Sequence, residues 1–262
     1  MSAPAPGTAP YFLRVAAATL ALLAIVTVAA VVFASMNAKP RTKLTIAETL
    51  ATLVPTERFA LERLCISAGI ASESLSAIDV WQLELGANPL ALSVERGHVR
   101  ALRISGTPLA DMSAVAAFEE LESLWFDRNK IVELNGTGGL SKLRELNLRE
   151  NQLTTIARGR LPKTLVILDV GHNQLTAIEG IASAQALMRL FAAHNALTAT
   201  EPLLGCPYLA EVDLDHNKVT SIDALVGLKF LRRVYVRGNP VQQVPEQLRN
   251  RSKVEVHIGP VQ

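Results

Sequence analysis

The sequence predicts an α/β solenoid: short strands stacked into one parallel β-sheet, returning through short 3₁₀ or irregular segments, with a transmembrane helix in front. Three observations predict it. An apolar frame recurs every 22 residues from Val99, an asparagine stands at one fixed place in nearly every recurrence, and the stretch from Val15 to Ala34 carries no charge. At about 1.5 Å per residue, such an uncharged helix spans about 30 Å, the hydrocarbon thickness of a bilayer.

Taken in chain order, residues 1–14 form a tail and residues 15–36 the expected span, a single-pass anchor in the bacterial inner membrane if the source is bacterial. A cleaved signal peptide is the competing reading, with Val32 to Ala34 as its cleavage site, although its apolar region usually runs only about 7 to 15 residues. Arg14 precedes the span while Lys39, Arg41 and Lys43 come after it, which leans the rest of the chain toward the cytoplasm. A lone N-terminal apolar helix can instead act as a signal anchor that exports the remainder of the chain, so the side stays open.

Residues 37–98 read as a linker and an N-terminal cap of helices plus a hairpin. Thr45 to Glu48 has the spacing of a capping box, and a second helix is expected from about Thr56 to Cys65, with Phe59, Leu61, Leu64 and Cys65 apolar. Trp81, Leu83 and Leu85 alternate with polar residues, then Gly86 to Pro89 gives a turn signal before Leu90, Leu92 and Val94. A hairpin there would cover the otherwise open edge of the first strand. Cys65 and Cys206 read as small buried hydrophobes rather than a disulfide.

From residue 99 to 262, seven units start at Val99, Leu121, Leu143, Leu165, Leu187, Leu209 and Leu231, without insertion or deletion. Successive strand residues point to opposite faces, so positions four and six (Leu146 and Leu148 in the third unit) face inward and positions three, five and seven outward. Position nine holds Asn129, Asn151, Asn173, Asn195, Asn217 and Asn239, with Thr107 in the first unit. An amide there can both donate to and accept from backbone groups that a turning chain leaves unpaired, a structural ladder. Phe118, Leu140, Pro162, Ala184, Cys206 and Leu228 mark the inward side of the opposite wall, and Val256 and Ile258 continue the frame as a capping strand.

These residues resemble the leucine-rich repeat family, whose period lies at about 20 to 29 residues. They are similar to its 22-residue subclass, found in a regulatory subunit of protein phosphatases and in bacterial internalins; the resemblance covers Val99 to Ile258. It implies a leucine-rich repeat horseshoe with the parallel sheet on its concave face, no enzymatic activity, no cofactor, and a protein or peptide partner bound on that face. The outward residues are where such proteins differ, so the resemblance supplies no partner-specific set.

The outward residues themselves are Arg103, Trp125, Asn147, Asp169, Phe191, Asp213 and Tyr235 in the central column, with Arg189, Asp215, Arg233 and Arg237 beside it. Aromatic and arginine side chains are the commonest interface anchors. An envelope structural or carbohydrate-binding module, with Trp125, Phe191 and Tyr235 stacking on sugar rings, is the alternative. A third reading is metal binding at His172, His194 and His216, which recur directly before the ladder asparagines, although a straight row converges poorly on one ion. Nucleic acid is excluded as a partner, because 22 basic against 24 acidic residues after residue 43 leave a net −2 and no basic stripe. The glycine run from Gly136 to Gly139 lacks the Lys and Ser/Thr of a phosphate loop and reads as a turn.

Overall fold

The computed structural model describes residues 51–70 and 89–259, all within the unit Leu44–Gln262. The expected transmembrane span, the capping box at Thr45 and the strand around Trp81 lie outside the described residues. Among the described residues, no helix is long and apolar enough to cross a membrane.

Nine strands form one sheet in chain order: β1 (Leu90–Glu95), β2 (His98–Ile104), β3 (Ser123–Trp125), β4 (Glu145–Asn147), β5 (Ile167–Asp169), β6 (Arg189–Phe191), β7 (Glu211–Asp213), β8 (Arg233–Tyr235) and β9 (Glu255–His257). From β2 to β9 every pairing is parallel with a register of 22 residues, for instance Leu146 to Leu168 and Leu168 to Leu190. Positions one, four, six and eleven of the third unit, Leu143, Leu146, Leu148 and Leu153, are fully buried, as the alternation requires. The six wall residues from Phe118 to Leu228 are buried as well, so the core is a continuous column between sheet and return wall. In the return wall, 3₁₀ turns fall at Ser113–Ala117, Glu179–Ser183, Glu201–Gly205 and Asp223–Gly227, and a short helix α2 (Glu246–Arg249) replaces them in the last unit. The second and third units return without a helix.

The asparagine ladder works backwards along the chain. From the third unit to the seventh, the amide oxygen accepts the position-eleven N–H of the preceding unit, and the amide nitrogen donates to that unit's position-six carbonyl. Asn151, for example, accepts from Ile131 N at 3.0 Å and donates to Phe126 O at 2.8 Å. Thr107 suffices in the first unit because no repeat precedes it. Asn129 serves that unit instead, accepting from Thr107 N at 3.0 Å and donating to Ile104 O at 2.7 Å.

The described part of the cap is one helix and one hairpin. The helix α1 (Pro55–Ser67) buries Glu57, Ala60, Leu61, Leu64 and Cys65, one i, i+3, i+4 stripe, and leaves Phe59 63% exposed on the other side. The buried Glu57 takes the inward place because its carboxylate accepts Val99 N at 2.8 Å and lies 3.0 Å from His98 Nδ1, tying α1 to β2. β1 pairs antiparallel with β2, so Leu90–Glu95 and His98–Ile104 form a hairpin, while the expected arm around Trp81 lies outside the described residues. Its turn is Arg96 and Gly97, both at positive φ (53° and 82°), as a two-residue turn between right-twisted strands demands. Gly97 is needed a second time, since a Cβ there would sit 2.9 Å from Thr52 O. As expected, β2 has no open edge.

Two further expectations concern the ends and the glycines. β9 pairs with β8 through Val256, so the capping strand forms, but Ile258 at its position six is 38% exposed because no further unit covers it. The glycine run packs neighbouring return segments together: a Cβ on Gly136 would meet Ser113 O at 2.7 Å, and one on Gly138 would collide with Gly159 O. Both cysteines are free and buried, with burial pushing the thiols up to about 11 for Cys65 and about 12 for Cys206.

Candidate functional site: the outward face of the sheet

The register aligns the central column as predicted. Arg103 lies beside Trp125, and Asn147, Asp169, Phe191, Asp213, Tyr235 and His257 succeed it, one per strand. Strand spacing of about 4.8 Å puts Phe191 and Tyr235 about 10 Å apart. All three aromatic side chains of the column are half-buried rather than fully exposed.

Several of the outward residues also bond within the chain. The side-chain oxygens of Asn147, Asp169 and Asp213 accept the backbone N–H two residues on (Arg149, Gly171 and Asp215) at 2.9, 2.9 and 3.0 Å. This Asx turn at position five bends the chain out of β4, β5 and β7. Asp215 is buried: its carboxylate accepts Arg237 N at 2.7 Å and Arg237 Nε at 2.8 Å, clasping the next unit. Sequence alternation places a residue outward but does not say that a short polar side chain folds back onto its own backbone.

The charged residues form pairs. Glu211 lies between Arg233 at 3.1 Å and Arg189 at 4.0 Å. Arg103 approaches Asp127 at 3.9 Å, and Trp125 Nε1 donates to Glu145 at 3.1 Å. Tyr235 stacks on His257 at 4.6 Å, and the Arg237 guanidinium lies 5.8 Å from the Tyr235 ring centre. Burial raises the carboxyl groups of Glu145, Asp169 and Asp213 above the ordinary range; for Asp169 and Asp213 the bonds from Gly171 and Asp215 partly offset it.

That direction fixes a pH dependence. A carboxyl whose folded pKa lies above its unfolded value binds more protons when folded, so its contribution to stability falls as pH rises through that window and is least favourable at neutral pH. An Asp213→Asn variant keeps the Asx bond, as Asn147 does natively, and discards the buried charge. Its melting temperature is expected above the parent's at pH 7.5, with the gap closing as the pH approaches about 4. Equal gaps at both pH values would show that desolvation of Asp213 is not the cause.

The histidine row forms, but not as a chelator. His172 and His194 stack at 4.1 Å with 20° between planes, and His194 and His216 at 4.1 Å with 15°. Imidazole lone pairs lie in the ring planes, so near-parallel rings cannot aim them at one ion. Among the described residues, no group of three His, Cys, Asp or Glu side chains is arranged to hold a metal. Burial, then the two flanking imidazoles and Arg149, hold His194 below the usual histidine range.

Why histidine stands there is a backbone matter that spacing alone does not reveal. Position eight is left-handed in every unit: Gly106, Arg128, Glu150, His172, His194, His216 and Gly238 have φ between 53° and 68°. That conformation turns each position-eight N–H onto the next unit's position-seven carbonyl, as in His194 N to Asp215 O at 2.8 Å. Glycine takes this conformation freely, and among other residues histidine is one of those that tolerate it best.

No family model matches the chain. No curated relative matches it either. Among solved structures it is similar to an internalin of Listeria monocytogenes (18% identity, TM-score 0.55, 63% of this chain and 51% of that one). Internalin C2 of the same species matches at 19% identity and TM-score 0.56, over 84% of this chain and 100% of that one. A leucine-rich repeat protein of Leptospira interrogans matches at 23% identity and TM-score 0.51, over 63% of this chain and 42% of that one. The chain thus spans about half the length of the first and less than half of the third. These likenesses show the fold: a leucine-rich-repeat-like solenoid with a parallel sheet.

Proposed function

We propose that this chain is a non-enzymatic, membrane-tethered leucine-rich repeat protein of the 22-residue subclass that binds a protein or peptide partner on the concave, outward face of its sheet. The observation that carries the reading is the column of Trp125, Phe191 and Tyr235, held in register on strands whose opposite face is fully buried. A rigid sheet presents those rings at little entropic cost to a partner. Tethering rests on the uncharged stretch from Val15 to Ala34.

A photo-reactive amino acid placed at 191, 235 or 201 in cells tests the face. Defined adducts are expected from 191 and 235, and none from Glu201 on the return wall. Against the adduct partner, Phe191→Ala and Tyr235→Ala should each cost about 2 kcal/mol of affinity, while Glu201→Ala changes little. Adducts from 201 alone would move the recognition face to the other side. For the tether, the full chain is expected to resist alkaline carbonate extraction. A mature N-terminus mapped just after Ala34 would replace the anchor by a signal peptide.

A further inference from the structure

The three aromatics of the column do not have equal company. Tyr235 has Arg237 over its ring, with that arginine pinned by Asp215. Trp125 stands beside Arg103, which faces Asp127 at 3.9 Å. At Tyr235, then, an aromatic ring meets an arginine that a carboxylate holds.

Phe191 has carboxylates and no such arginine. Asp169 and Asp213 are its register neighbours on the two flanking strands. The position-seven residues that supply Arg237 and Asp215 elsewhere are here Gly171 and Ala193, too short to reach over the ring. Of the nearby arginines, Arg189 faces Glu211 at 4.0 Å, and Arg149 faces Glu150 at 3.3 Å while its Nη1 lies near Gly171, where its charge favours the Asp169 carboxylate. Among the described residues, no cation lies within 4.0 Å of Asp169 or Asp213. Phe191 therefore stands between two carboxylates with no arginine over its ring, unlike Tyr235.

We propose that Phe191, Asp169 and Asp213 form the receptor for an arginine side chain of the partner, so that the concave face binds an extended, arginine-bearing peptide segment. The inference rests on the concave-face reading above and names the partner's chemistry. A guanidinium stacks on the ring face, while its N–H groups reach carboxylate oxygens that the Asx bonds leave available. Its charge also relieves the mutual repulsion of two half-buried carboxylates. Trp125 and Tyr235, three and two strands away, flank this point as apolar contacts.

The test uses the full chain in detergent micelles and a fluorescein-labelled peptide, Gly-Leu-Arg-Leu-Arg-Gly, read by fluorescence anisotropy against its citrulline twin, which has the same shape without the charge. The arginine peptide is expected to bind at least tenfold more tightly than the twin, with affinity falling as salt rises. Asp169→Asn/Asp213→Asn, which keeps both Asx turns, should weaken it at least tenfold. So should Ala193→Arg, which supplies the missing cation from within as Arg237 does at Tyr235, with circular dichroism confirming the fold of each variant. No binding, equal binding of the citrulline twin, or binding unchanged in the double asparagine variant overturns the inference. If Phe191→Ala still releases the crosslinked partner while the arginine peptide fails, this inference alone falls; if Phe191→Ala leaves that partner bound, the concave-face reading falls.

Discussion

Replacing Leu168 or Leu190 with aspartate is expected to abolish the cooperative melt of the repeat domain. Both side chains are fully buried and lie next to each other in register, with Leu146 and Val212 on either side. An unpaired carboxylate at that place costs several kcal/mol in order of magnitude, a large share of the roughly 5 to 15 kcal/mol that stabilises a domain. The break also falls mid-array, where each unit is held chiefly by its two neighbours. The native chain carries its own control one residue on: Asp169 is tolerated because it faces outward. Circular dichroism and thermal melting of Leu168→Asp against Asp169→Asn decide it. A parental melt for the first variant would refute the inward assignment of position four.

The same alternation explains what was legible in the sequence. A period of 22 with no insertion leaves one register, so the strands, the buried wall from Phe118 to Leu228 and the capping strand through Val256 could all be read from spacing. The pairing of β1 with β2 could not. The turn that forms uses Arg96 in the left-handed region, where arginine gives no cue. On the outward face, spacing tells each residue's side but not its engagement. Asp213 and Asp215 both point away from the core column by rule, yet one bonds its own backbone and the other is buried under Arg237. Such contacts depend on the angle at which the chain leaves each strand, which the frame does not encode. The histidines illustrate the converse, a pattern suggestive of chemistry that arises from one backbone angle repeated in every unit.

The asparagine ladder carries the second large expectation. Asn217 is 6% exposed; its oxygen accepts Leu197 N at 2.9 Å and its nitrogen donates to Ala192 O at 2.9 Å and Leu214 O at 3.0 Å. Asn217→Ala removes both partners at once and strands a buried N–H and a buried carbonyl of the preceding unit. At about 1 to 3 kcal/mol for each unsatisfied group, the loss should be about 3 kcal/mol or more. Because the bonds reach backwards from the sixth unit into the fifth, the damage should localise. Amides around Leu197 are expected to exchange faster, while those around Ile131, held by the equivalent bond to Asn151, keep their protection. Asn217→Asp is the discriminating companion. A carboxylate retains the acceptor for Leu197 N but sets a buried charge against Ala192 O and Leu214 O with no proton to donate, so it should be no more stable than alanine if the donating half of the amide matters. Hydrogen exchange read by mass spectrometry, alongside melting, checks both variants. Uniform exchange along the whole array in Asn217→Ala would show instead that the asparagine stabilises the solenoid globally rather than by clasping the unit before it.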